Sequence, residues 1–236
     1  PDGTGMSLAP QLAADSSGVY ATWYDNRNGA YDIFANASTD GGEVWLDEPA
    51  RVDTDDRGEA YSASPVLVVD GVGGVVIAWE DSRDGRSDVY TNVSVDYGQT
   101  FAPSDVRLDP GGAGNADSFY PRLARSGFNV YVAWHDTYGG EDRDIYVAHS
   151  GDSGVTWSEA VRPETANEGL VDALYPSVAA VGDTLHIAWQ DNRSGGYDVW
   201  YRQSSDAGLT WAAPETRMDR DTQGLNQSNR AHVSAY

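Results

Sequence analysis

A chain of 236 residues with 40% hydrophobic content can bury one sizeable core or two small ones. Its 37 acidic against 15 basic residues, all of the latter arginine, give a net charge of −22, which speaks against nucleic acid and anionic membranes as partners. Absence of cysteine excludes disulfides, and no apolar run approaches the roughly 20 residues that span a bilayer, so no membrane insertion is expected.

The charge suits cations, a high-salt medium or simple solubility. A start at Pro1 rather than Met suggests a processed segment.

In chain order, one unit is written four times. The first opens at Pro10 and continues into a period-two run, Val19, Ala21 and Trp23. An Asp- and Gly-rich turn follows, carrying Asp25, Arg27 and Gly29, and then a third strand around Ile33. A Ser38-x-Asp40-x-Gly42 turn leads to Trp45 and a fourth strand. The second unit repeats this from Pro65 through Val75, Ile77 and Trp79, with Asp81, Arg83 and Gly85, a strand around Val89, and Ser94, Asp96, Gly98 and Phe101. The third runs from Pro121 through Val130, Val132 and Trp134, but Tyr138 replaces the arginine after Asp136. Its strand around Ile145 precedes Ser150, Asp152, Gly154 and Trp157. The fourth runs from Pro176 through Leu185, Ile187 and Trp189, with Asp191 and Arg193, a strand around Val199, and Ser204, Asp206, Gly208 and Trp211.

All eight tryptophans fall within these strings, so the repeat is a packing unit. The run before each Asp-rich turn is apolar on both faces, as for a strand between two sheets. The expected fold is all-β, a β-propeller of four-stranded antiparallel blades in one domain, residues 1–236. Blades are expected at about 8–56, 62–109, 118–163 and 173–220. Residues 221–236 read as a linker plus an extra strand, 231–236, in register with Pro65. That strand could close the ring, begin further blades, or add to another molecule and so allow self-association.

The Ser-x-Asp-x-Gly-x-Thr-Trp strings resemble the Asp-box, or bacterial neuraminidase repeat, of sialidase-like β-propellers, and the four copies cover essentially the whole chain. The resemblance implies that these turns are structural and lie away from the functional face. That face would be built from the second-to-third-strand turns and the inter-blade connections. The ligand-face candidates are therefore Asp25, Arg27, Asp81, Arg83, Asp136, Tyr138, Asp191 and Arg193. Acidic connections such as 53–59 and 109–115 would flank them.

Sialidases clamp a carboxylate with three arginines and use a Tyr–Glu nucleophile pair and an Asp acid/base. Here the early Arg-Ile-Pro element is missing, and Tyr120-Pro121-Arg122 is a reversed look-alike. The enzymes are six-bladed, and the Asp-x-Arg pairs obey the repeat as hairpin caps would, whereas a catalytic site should break it. No catalytic residue is assigned. The expectation is a secreted or cell-surface, non-catalytic module for interaction, carbohydrate binding or assembly, with a carbohydrate or protein ligand. The alternative is a sialidase-type exo-glycoside hydrolase or a fragment of one.

His186 reads as a packed strand residue and His135 as a variable surface position, while His149 and His232 have no ligand spacing, so zinc is not expected. No cofactor is required; Ca2+ could be accepted by the turns 25–29 and 191–195. Sequons at Asn36, Asn92, Asn192 and Asn226 permit glycosylation, but two share their serine with the Ser-x-Asp turn, as chance products of the repeat would.

Overall fold

The computed structural model describes residues 5–166, 169–220, 222, 228 and 231–234. The first sheet is β1 (Ser7–Asp15), β2 (Gly18–Asp25), β3 (Asp32–Ser38) and β4 (Ala50–Arg51), paired in that order and antiparallel. The second, β5 (Ser62–Val69), β6 (Val75–Asp81), β7 (Asp88–Ser94) and β8 (Val106–Arg107), has the same order. The third is β9 (Ser118–Ser126), β10 (Asn129–Asp136) and β11 (Asp144–Ser150), its fourth strand reduced to a Val147–Val161 bridge. The fourth is β12 (Ala173–Val181), β13 (Thr184–Asp191), β14 (Asp198–Ser204) and β15 (Thr216–Arg217).

The four tryptophans of the period-two runs sit at one register. Trp23, Trp79, Trp134 and Trp189 lie opposite Phe34, Tyr90, Tyr146 and Trp200. The last three are fully buried, each against the preceding sheet: Trp79 packs with Ile33 and Val52, Trp134 with Val89 and Leu108, Trp189 with Ile145 and Val147. Truncating such a ring costs about 3–5 kcal/mol. Neighbouring first strands touch one another in succession, β1 to β5 to β9 to β12, as the inner wall of a radial array does. Trp23 has no preceding sheet and is only half-buried, and Leu12 beside it is 68% exposed. Among the described residues no apolar cluster joins the fourth sheet to the first.

Every Ser-x-Asp turn is closed alike. Ser38 Oγ donates to Asp40 Oδ1 (2.6 Å) and accepts from the Gly42 amide (2.9 Å), while Asp40 Oδ1 accepts from the Val44 amide (2.9 Å). Ser94–Asp96, Ser150–Asp152 and Ser204–Asp206 repeat this, with a threonine hydroxyl as an added donor to each aspartate. These local bonds satisfy turn amides that no strand reaches. The sequon amide of Asn92 is buried against the Val52 and Ala102 carbonyls, at 3.1 and 3.0 Å, which leaves no room for a glycan; Asn226 lies outside the described residues.

The chain enters each new sheet by one bond. The amides of Ser62, Ser118 and Ala173 donate to the carbonyls of Tyr31, Ser87 and Arg143 at 2.7–2.8 Å. Ser228 donates likewise to the Tyr197 carbonyl (2.8 Å), and Val233 N–H reaches Ser177 Oγ (2.9 Å). Residues 231–234 thus lie against the fourth sheet without pairing as a strand; 235 and 236, the rest of the expected strand, fall outside the described residues.

Candidate ligand-binding site

The eight sequence candidates are brought together in pairs, each closed within its own hairpin. Arg27 grips Asp25 through Nη2 (2.9 Å) and Nε (3.0 Å) and lies over the Phe34 ring at 4.2 Å. Arg83 binds Asp81 (2.6 Å) and Asp105 (2.7 Å) and lies 4.1 Å over Tyr90. Arg193 binds Asp191 (2.5 Å) and Glu215 and lies 4.2 Å over Trp200. In the third sheet Tyr138 takes the arginine's place, meeting Tyr146 edge-on at 6.4 Å, and its amide donates to Asp136 (2.6 Å).

The electrostatics follow the partners. Hydrogen bonds from Arg27 hold the Asp25 carboxyl down at about 2. Burial pushes Asp81 up, but Arg83 outweighs it and the net shift is downward. Asp136, equally buried but lacking an arginine, is shifted upward by burial. In three of the hairpins carboxylate and guanidinium are paired with each other, while Arg83 also lines an open pocket of ≈ 420 Å³ with Asp55, Glu59 and Asp84; the turns proposed for calcium hold Asp25 and Asp191 against arginines.

A second repeated pair went unnoticed in the sequence. Arg51-x-Asp53, Arg107-x-Asp109, Arg162-x-Glu164 and Arg217-x-Asp219 stand at one phase, a signal that alignment of the four units would reveal. Each acid accepts the amide of the third strand's second residue (Ile33, Val89, Ile145, Val199) at 2.7–3.1 Å. Each arginine bonds the strand's first residue, as Arg51 does Asp32 (3.1 Å). A loop glycine donates to that same aspartate, Gly58 to Asp32 and Gly114 to Asp88; at Gly114, with φ +65°, a side chain would strike the Asp84 carbonyl. Asp32, Asp53 and Asp55 have metal-ligand spacing, but Arg51 contacts all three at 2.6–3.1 Å and supplies the positive charge. Burial raises Asp53 and Asp109 to about 8.

On the rim where one sheet meets the next, the backbone still repeats while the side chains diverge. Each inner strand carries a bulge beside its proline. The residue before that proline is left-handed in every case: Ala9 (φ 46°), Ser64 (52°), Tyr120 (56°) and Tyr175 (51°). Such a conformation costs a non-glycine residue about 1–2 kcal/mol. It turns the Tyr120 amide onto Glu80 Oε1 (2.7 Å) and the Tyr175 amide onto His135 Nδ1 (3.3 Å).

These contacts build a cleft of ≈ 450 Å³ lined by Ser64, Glu80, Phe119, Tyr120, His135, Arg143, Leu174 and Tyr175. An adjoining groove of ≈ 300 Å³ shares Tyr120 and Tyr175 and adds Arg122, Ser177 and His232. Tyr120 and Tyr175 meet edge-on at 4.9 Å, and His135 lies 5.3 and 5.7 Å from their rings. His135 is therefore no surface position: it is 2% exposed, because the bulge of the next sheet folds over it. Burial, with Arg143 and Arg122 nearby, drops its pKa to about 3, so the imidazole is neutral and its Nε2 carries the proton. Burial raises the Glu80 carboxyl. His186 is half-buried and stacks on Tyr201 at 6.1 Å, with Nδ1 2.8 Å from its hydroxyl.

No protein-family model matches this sequence, and no curated protein matches it. Solved structures do. An α-L-arabinanase from Penicillium chrysogenum complexed with arabinobiose superposes with TM-score 0.63 at 19% identity, covering 92% of this chain and 68% of that one. An ulvan lyase of polysaccharide lyase family PL25, bound to -[GlcA(1-4)Rha3S]-, gives 0.58 at 15% identity, covering 86% and 56%. The NanB sialidase from Streptococcus pneumoniae gives 0.57 at 12% identity, covering 92% and 52%. The chain spans between half and about two thirds of these proteins' lengths. At such identities the likeness defines a fold, the β-propeller-type fold that the sialidase shares.

Proposed function

We propose that this is a carbohydrate-recognising β-propeller, acting outside the cell, whose ligand is seated in the cleft between Glu80, Tyr120, His135 and Tyr175. One observation carries the reading: the backbone repeats four times, yet the side chains around this cleft do not. The positions equivalent to His135 hold Tyr24, Glu80 and Gln190, and those equivalent to Tyr120 hold Ala9, Ser64 and Tyr175. Aromatic faces with a few convergent polar groups suit sugars, which offer both C–H faces and hydroxyls. The neighbouring structures solved with arabinobiose or an ulvan disaccharide favour a saccharide over other small ligands.

A glycan array of neutral and acidic oligosaccharides tests this. Wild type should capture a defined subset, and Glu80→Gln should weaken that capture at least tenfold; capture of none, or capture indifferent to Glu80→Gln, overturns the proposal. A glycoside hydrolase is the second reading, favoured by the upward shift of Glu80, which lets a carboxyl keep a proton for a leaving group. Release of reducing ends from arabinan or a sialoside, lost in Glu80→Gln, would select it over a purely binding role.

A further inference from the structure

The rim between the first and second sheets holds three tyrosines in mutual contact. Tyr24 is the last residue but one of β2, Tyr31 precedes β3 and Tyr61 precedes β5. Tyr31 meets Tyr24 at 5.0 Å and 79° and Tyr61 at 5.3 Å and 76°, and Tyr24 and Tyr61 are 6.4 Å apart. Tyr61 is 49% exposed, whereas Tyr24 and Tyr31 are half-buried. Tyr24 packs in part against the core shared by the first two sheets. The equivalent positions between the second and third sheets hold Glu80, Ser87 and Asp117, and between the third and fourth His135, Arg143 and Asp172, on the same backbone. A fold that accepts serine, aspartate and arginine at these positions does not call for three aromatics there, and a partly exposed cluster of rings is suited to contact with something else.

We infer that this tyrosine cluster is a second saccharide subsite, a stacking platform for a sugar unit of an oligosaccharide whose other end lies in the cleft. The inference rests on the proposed reading of that cleft. Two observations join platform to cleft. Tyr61 and the cleft residue Ser64 are three positions apart where β5 begins, which separates them by at most about 10 Å at ~3.3 Å per residue. Burial raises the Tyr61 phenol, with Tyr24, Tyr31 and lastly the Glu80 carboxyl adding to the shift, so Glu80 lies within electrostatic reach. Ring faces would meet the C–H face of a pyranose or furanose, and the phenol hydroxyls its oxygens. The ligand class is thus an oligosaccharide of more than two units, bound along the rim, rather than a single terminal sugar.

Calorimetric titration of the full chain with arabino-oligosaccharides of two to six units, and with ulvan oligosaccharides of matching lengths, reads this out. Affinity for the series that binds should rise about tenfold or more once the chain is long enough to reach the platform. Tyr24→Gln/Tyr31→Ser, using residues this fold already carries at Gln190 and Ser87, should abolish that rise while leaving the shortest ligand's affinity unchanged. Tyr61→Phe, which keeps the ring, should retain the rise. A length gain that survives the double variant, or no gain in wild type, overturns the platform and leaves the cleft standing. Loss of binding at every length in Glu80→Gln supports the cleft on which the platform depends, and no binding by wild type in either series removes both.

Discussion

In the second sheet Arg83 lies 4.1 Å over Tyr90 and bonds Asp81; in the third, Tyr138 occupies that place and meets Tyr146 edge-on. Both hairpins close, and both tryptophans beneath them, Trp79 and Trp134, still donate their indole N–H to the aspartate, at 2.9 and 3.2 Å. The turn geometry therefore belongs to the aspartate, which accepts backbone and indole donors in either case. The arginine's part is to neutralise that aspartate: Asp81 is shifted down and Asp136 up.

The sharpest way to break the comparison is Arg83→Ala. It leaves Asp81 and Asp105, both essentially buried, without their cation. Loss of one partner from a buried pair costs about 3–5 kcal/mol, so the urea midpoint should fall steeply. Tyr138→Ala removes a ring that is 39% exposed and no charge, and should cost far less. Equal losses would mean that ring packing, rather than charge, holds these hairpins.

Between the two hairpins lies Asp109, raised to about 8 chiefly by burial, with Asp88 and Asp136 adding repulsion. Above about pH 4 the unfolded chain has released this proton, whereas the folded chain keeps it until about 8. Stability therefore falls as pH rises across that interval and levels off beyond it. Asp109→Asn, which cannot ionise, should reduce the slope by about 1.4 kcal/mol per pH unit between pH 5 and 7.5. An unchanged slope in denaturation series would show that Asp109 is ionised in the folded chain.

Tyr138→Arg restores to the third sheet what the others have. A guanidinium over Tyr146 and beside Asp136 should add about 1 kcal/mol, the sum of a stacked cation and a charged hydrogen bond less the burial cost. It should also bring Asp136 down, a shift that carboxyl-carbon NMR titration would detect. Destabilisation instead would show that the third hairpin, one residue longer, cannot seat the arginine.

What the sequence disclosed and what it hid have one physical origin. Register, blade count and the Ser-x-Asp turns depend on residues close in the chain and repeated at one phase, so Trp79 or Asp96 could be placed from the string alone. Glu80 and His135 could not. By alignment they occupy a position that varies from unit to unit, which reads as surface, yet each is covered by a backbone amide 40 residues further on, from Tyr120 and Tyr175. The Arg-x-acid pairs escaped notice for another reason: arginine and aspartate are common throughout this chain, and only their phase distinguishes these from solvated charge.

Arg86 and Asp117 provide the smallest test and the cleanest control. They are the same two residue types as Arg83 and Asp81, on the rim between the second and third sheets, at 3.2 Å, but their side chains are 54% and 36% exposed. Water screens both partners and the arginine gives up rotamer freedom to hold its place, so the pair should contribute about 0.5 kcal/mol or less. Arg86→Ala should leave the denaturation midpoint nearly unmoved and its salt dependence slightly weaker. If it cost as much as Arg83→Ala, burial could not be what distinguishes the hairpin arginines, and the contrast between the second and third sheets would need another cause.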